Sequence, residues 1–273
     1  VPELGTRISQ QDLAASLESL ARDGFSGFYR GELADKLVSG VQQAGGIWDK
    51  QDLADYRVKE REPVVIDYNG MRVISAALPS PGGLVLSIAL NILEQYDLAA
   101  MDEATRVHLV VEAMRRAYQA RAQYMGDADF VSVPTEKLSH KSYARALAEN
   151  LNLKAAMPSQ QLTGLNASEG HDTTHFSVLD KAGNRVAATL SINYPFGSGF
   201  VPPGTGVLLN DEMDDFSIKP GTPNFWGLVG SKANSIEPNK RPLSSMTPTI
   251  IMYDGAPIMT IGSPGGSKII TTV

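Results

Sequence analysis

The chain has 273 residues, 42% of them hydrophobic, a formal net charge of −6 and no cysteine. That is enough apolar material for a sizeable core in one large or two small domains, and it excludes a disordered chain. The scattered basic residues argue against a nucleic-acid partner, no apolar run is long enough to span a membrane, and a disulfide framework or thiolate metal site is impossible.

The start, Val1-Pro2-Glu3-Leu4, is neither a signal peptide nor a Met start, and the end, Lys268 to Val273, stops inside an apolar run. Both read as the edges of a piece of a longer chain. Ser9 is placed to cap a first helix carrying Leu13, Leu17 and Leu20 on one face, with Gly24 as its stop. Leu33, Leu37, Val38 and Val41 predict a second helix ending at Gly45-Gly46, and Asp49 caps a short third. Val64–Tyr68 and Met71–Ile74, joined by Asn69-Gly70, predict a type I′ hairpin. Pro79 to Gly83 breaks the chain before an apolar helix through Leu93. A long amphipathic helix over Glu103–Tyr124 follows, then another over Ser142–Leu151.

From Ala155 to Asp172 the composition turns polar and aperiodic and reads as an exposed linker. Beyond it, strands are predicted over Thr174–Leu179 and Arg185–Ile192, a short strand over Val207–Leu209, and a hairpin over Thr249–Tyr253 and Pro257–Ile261. Lys219–Asn239 is a long Gly- and Pro-rich loop, of the kind that serves as a lid.

Several stretches could carry chemistry. Thr173 opens a strand directly after the linker. If the Asp172–Thr173 bond is cut, its free α-amine, with an ordinary pKa of about 7.7–8.0, can act as base for its own hydroxyl. Taken alone, Thr173-Thr174 reads equally as β-propensity. Gly265-Gly266, between a strand and a predicted helix, suits an oxyanion hole, a phosphate loop or a plain tight turn. Against the phosphate loop, Gly262 to Lys268 lacks the Walker spacing, with Ile269 where Ser or Thr belongs. The acidic run Asp211 to Asp215 could be a solvated turn, a metal chelate without EF-hand spacing, or a seat for an ammonium group. Ser244-Ser245, between Pro242 and Pro248, offers two hydroxyls in a stiff segment. His108 and His140 read as structural, and His171 and His175, which flank the threonine, do not form a Ser-His-Asp pattern.

Taken together, these stretches resemble the γ-glutamyltranspeptidase family of N-terminal-nucleophile hydrolases. The resemblance rests on Thr173 to Val178, Leu208 to Phe216 (LLNDEMDDF), Pro238 to Met246 (PNKRPLSSM) and Gly262 to Ser267 (GSPGGS), in that order. It implies an α+β fold, a four-layer αββα sandwich of which this chain is an incomplete portion. It also implies a precursor that cuts itself before Thr173. Residues 1–172 would be the helical later part of a large subunit ending in the linker, and residues 173–273 the first part of a small subunit with the active site; the two remain paired as a heterodimer.

By the same resemblance, Thr173 is the nucleophile, Ser191 supports it, and Gly265 and Gly266 stabilise the oxyanion. Asn193, Glu212 and Asp215 bind the donor's α-amino end, Ser244 and Ser245 its α-carboxylate, and Trp226 sits on the lid. The implied activity transfers the γ-glutamyl group of glutathione or glutamine to an amino acid, a peptide or water, without cofactor or metal, in the periplasm or outside a bacterial cell. Two departures stand out: Ser191 replaces the family's usual threonine, and Trp226 the tyrosine of many bacterial lids. The family's upstream arginine for the donor carboxylate falls outside this chain. The rival readings are an acylase of the same fold, acting on a cephalosporin or glutaryl side chain, and a non-catalytic binding protein.

Overall fold

The computed structural model describes residues 3–162, 173–224 and 227–273. They fall into two compact units, one formed by Val1–Glu60 with Tyr194–Asp211, the other by Arg61–Asn193 with Glu212–Val273.

The first unit holds four helices, α1 (Gln11–Asp23), α2 (Phe25–Tyr29), α3 (Gly31–Gln43) and α4 (Lys50–Asp55). Ser9 is not the cap of α1. The helix starts after Gln10, which makes no side-chain cap, and Ser9 lies one residue too early to reach the first free amides. Gly24 ends α1 as expected, at φ 57°. The face predicted to be buried is largely outside: Leu17 and Leu20 are exposed, while Ser16 is buried and donates to the Thr205 carbonyl at 2.6 Å. The sequence reading has no α2, whose five residues are too few to show a period. It is held by rings, with Tyr29 stacked on Phe25 at 4.5 Å and on Tyr56 at 5.1 Å. α3 buries Leu33, Leu37, Val38 and Val41, as their spacing requires. Asp49 caps α4 through a reciprocal pair with Asp52, each side chain accepting from the other's amide. The predicted strand over Val207–Leu209 is absent. Leu209 exchanges two backbone hydrogen bonds with the Ser198–Phe200 turn, both at 3.0 Å, but no ladder extends from them towards Pro202 and Pro203, which have no N–H to give.

The second unit is built on an antiparallel sheet, β1 (Val64–Tyr68), β2 (Met71–Ser75), β5 (Thr249–Tyr253) and β6 (Ala256–Ile261), in that spatial order. Asn69 and Gly70, at φ 48° and 78°, make the turn that matches strand twist, and Asp254-Gly255 repeats the device. Helix α5 (Gly82–Leu93) is apolar nearly all round and correspondingly buried. It packs on β1 and β2 and against α6 (Glu103–Tyr124), α7 (Thr135–Ser139) and α8 (Lys141–Ala148). A separate hairpin, β3 (Thr174–Leu179) and β4 (Arg185–Leu190), meets β6. Helices, sheet and second sheet follow one another within this unit, which bears out the α+β class. Leu243 and Ile270, from beyond Thr173, share the hydrophobic core of α5, α6 and α8, from before it.

α8 stops three residues earlier than predicted. The Leu147 carbonyl is taken by Arg116 of α6 at 2.9 Å, and the same guanidinium reaches Glu112 at 2.6 Å and Asn150 at 3.1 Å. The expected linker is not wholly exposed either. Leu162 is buried, and Arg115 holds the Met157 carbonyl and the Ser159 hydroxyl at 2.9 and 3.1 Å.

The core of the sheet also carries a hydroxyl pair across β2 and β5. Buried Thr249 donates to Ser75 at 2.9 Å, and Ser75 donates on to the Pro248 carbonyl at 3.2 Å. Ser75→Ala is expected to cost about 1 kcal/mol, because it leaves the partly buried Pro248 carbonyl short of a partner. In urea the midpoint should fall with the slope unchanged.

Candidate active site

Thr173 is delivered by β3, and Ser191 by the end of β4, the strand paired with it. Thr173 Oγ1 donates to Ser191 Oγ at 3.3 Å, and the Asn193 amide donates to the same oxygen at 2.9 Å. Thr173 sits at φ 141°, an unusual conformation for a β-branched residue. Asn193 is buried at φ 70°. Asp172, on the other side of the expected scissile bond, lies outside the described residues, as do His171 and Trp226.

Thr173, Ser191, Asn193, Glu212, Asp215, Ser244, Ser245 and Gly266 line one narrow cleft of about 20 Å³. That volume holds a water molecule, not a glutamyl group. Gly265 is the one described member of the predicted set that does not line it. The Gly262–Ser267 stretch runs from β6 into a single 3₁₀ turn, Gly266–Lys268, and then the short helix α9 (Ile269–Thr272). Gly265 and Gly266 both have positive φ, 127° and 54°.

His175 has no catalytic geometry. Its ring is held between Thr189 Oγ1 at 2.8 Å and Ser177 Oγ at 3.1 Å, and burial lowers its pKa. A Cβ at Gly262 would lie 2.1 Å from the His175 ring, so the absence of a side chain there lets β6 approach β3. His140 caps α8 by accepting from the Ser142 amide at 3.1 Å, and His108 meets the Asn152 carbonyl at 2.8 Å, both structural as expected.

The acidic run forms a 3₁₀ turn, Glu212–Asp215. Among the described residues no cluster of His, Asp and Glu could hold a metal ion. Burial pushes the Asp215 carboxyl well above the usual carboxylate range, and the neighbouring Glu212 pushes it further. The Arg121 guanidinium opposes this. Two carboxylates this close repel each other, which is the electrostatic situation an incoming ammonium relieves.

Three polar residues around the cleft are given no role in the sequence reading. Arg121, buried on α6, donates to Ser245 Oγ at 3.4 Å. Asn234 is buried and donates to the Asp215 carbonyl at 2.7 Å, while its own side-chain oxygen accepts from Leu243 N at 2.9 Å. That ties the end of the long Gly- and Pro-rich loop to the acidic turn and to the serine segment. Ser267 lines the cleft with a buried hydroxyl that has no hydrogen-bond partner. The only sequence signal was for Ser267, inside the glycine motif.

A threonine at the head of a strand, a hydroxyl partner just past the end of the paired strand and a glycine turn thus line one cleft. The profile of the family "Gamma-glutamyltranspeptidase" matches residues 1–273. The chain belongs to that family. It is 46% identical over 273 residues to the "Glutathione hydrolase proenzyme" of Escherichia coli (strain K12), covering 98% of this chain and 47% of the relative. It is 47% identical over 270 residues to the protein of the same name from Pseudomonas sp. (strain A14), with the same 98% and 47% shares. The crystal structure of cephalosporin acylase from Bacillus halodurans superposes with a TM-score of 0.83 at 29% identity, over 99% of this chain and 47% of that one. The chain thus spans about half the length of the relatives it matches.

Proposed function

We propose that the whole protein is a γ-glutamyl transferase and hydrolase that works through a threonyl acyl-enzyme. The observation that carries this reading is the cleft itself, where Thr173 and Ser191 share a hydrogen bond beside the Glu212–Asp215 turn, the Ser244-Ser245 pair and Gly266. After scission of Asp172–Thr173, the α-amine takes the Thr173 hydroxyl proton as Oγ1 attacks the γ-amide carbonyl. The carbonyl's developing charge goes to the N–H groups of Gly265 and Gly266. The tetrahedral adduct collapses, the leaving amine takes up the proton, and the glutamyl group stays as an ester on Thr173. Water or an acceptor amine attacks that ester and restores the hydroxyl. Asn193, Glu212 and Asp215 hold the donor's ammonium, and Ser244 and Ser245 its carboxylate. Glutathione or glutamine is the donor, and an amino acid or peptide the acceptor. The lid is the segment bearing Trp226, and the site of action is the periplasm or the cell exterior. Among the described residues no helix is long and apolar enough to cross a membrane.

The likeness to a cephalosporin acylase keeps a second reading in view. The two differ at the donor's α-carbon, since a glutaryl group has no ammonium. Asp215→Asn in the full-length, cleaved enzyme is expected to raise KM for a γ-glutamyl anilide by a factor of roughly 30, about 2 kcal/mol for a desolvated charge contact. A glutaryl anilide should be nearly unaffected. Equal effects on both donors would favour the acylase, and no turnover of either by cleaved wild type would favour a binding protein.

A further inference from the structure

Helix α6 precedes the expected scissile bond, yet it reaches three separate stretches that follow it. Tyr118 Oη donates to the Ser267 carbonyl at 2.6 Å, beside the glycine turn. One turn further on, Arg121 Nη2 donates to Ser245 Oγ at 3.4 Å. The same guanidinium interacts electrostatically with Asp215 and is fully buried, with its Nε unpartnered. Burial pushes the Tyr118 phenol up to about 12, so it stays a neutral donor.

We infer that Arg121 is a positioning residue of the donor pocket. From behind the cleft its guanidinium holds the Ser245 hydroxyl and balances the Asp215 carboxylate that faces the donor's ammonium. Glu212 and Asp214, on the same turn, both add negative charge near Asp215. From α6 come Arg121 and the neutral Tyr118; from the lid base comes the neutral Asn234 amide. Lys219 lines the adjoining cavity with Asp215 but is itself exposed. Among the described residues, Arg121 is thus a buried cation set against Asp215. A guanidinium keeps its charge when buried, where a lysine readily gives it up.

The inference rests on the γ-glutamyl reading of the site and adds a pH signature to it. A raised Asp215 pKa means that the carboxylate needed for ammonium binding is lost as pH falls through that raised value. Removing Arg121 raises it further. In the full-length, self-cleaved enzyme, Arg121→Met should move the acid limb of kcat/KM for a γ-glutamyl anilide to higher pH by about one unit, a tenfold weakening in the acid range. The loss should reside in KM, not kcat, and a glutaryl anilide should show no such displacement. Arg121→Lys should fall between wild type and Met. If Arg121→Met does not fold, Arg121→Met/Asp215→Asn, which removes both charges, should fold and cleave with a KM that no longer depends on pH in the acid range. A Met variant with the wild-type acid limb would overturn the role, as would a double variant that also fails to fold. Cleaved wild type that turns over no γ-glutamyl anilide at any pH would overturn the functional reading instead.

Discussion

Thr173→Ala in the full-length precursor is expected to migrate as a single chain on a denaturing gel and to turn over no γ-glutamyl donor. The alanine removes the only hydroxyl that can attack the preceding carbonyl from its own residue, so both self-cleavage and acyl transfer lose their nucleophile. Thr173 at φ 141° holds a conformation that costs a non-glycine residue about 1–3 kcal/mol, and scission of the preceding bond releases it. Thr173→Ser keeps the hydroxyl and should still cleave, more slowly, because it gives up the β-branch that restricts the rotamer. Two clean subunits from the alanine variant would remove Thr173 from the mechanism.

Gly266→Val should lower kcat by about 10²–10³ in cleaved, folded enzyme, the usual loss of one oxyanion donor, with donor KM changed far less. Gly266 lines the cleft and sits at φ 54°, where a β-branched residue is strained, so the turn must reshape and its N–H groups lose their aim. Gly266→Ala is the milder companion, since alanine tolerates that φ at a cost of about 1–2 kcal/mol. Near-normal turnover by the valine variant would refute the assignment of the oxyanion hole. Loss confined to KM would make the turn a binding element instead.

Thr173, Gly266, Ser244, Ser245, Glu212 and Asp215 were legible because each lies in a short contiguous pattern whose chemistry is local (a Thr after a linker, paired glycines, paired serines, an acidic turn), whereas Ser191 and Asn193 stood out only through the family resemblance. Arg121 was not legible. It sits on α6, which buries charged residues on more than one side, Glu112 and Arg116 among them, whereas hydrophobic periodicity assigns charged residues to the solvent side. Its burial depends on partners more than ninety residues later, which no local pattern reports. Helices α2 and α7, of five residues each, are too short to show a period. The strand over Val207–Leu209 was overread because a short apolar run says nothing about whether a partner strand can donate. Ser9 was misplaced as a cap by one residue, the ordinary uncertainty of a helix end.

If the chain is cut before Thr173, the core that α5, α6 and α8 share with Leu243 and Ile270 joins two molecules instead of one. Before scission, the two halves meet at the high effective concentration set by their covalent tether. Afterwards the same contacts join separate molecules, and their association obeys mass action. Tyr118 and Arg121 leave with one piece, and Ser245, Asp215 and the glycine turn with the other. Dilution would then abolish the donor pocket and the quaternary structure in a single equilibrium, and donor binding would hold the pieces together.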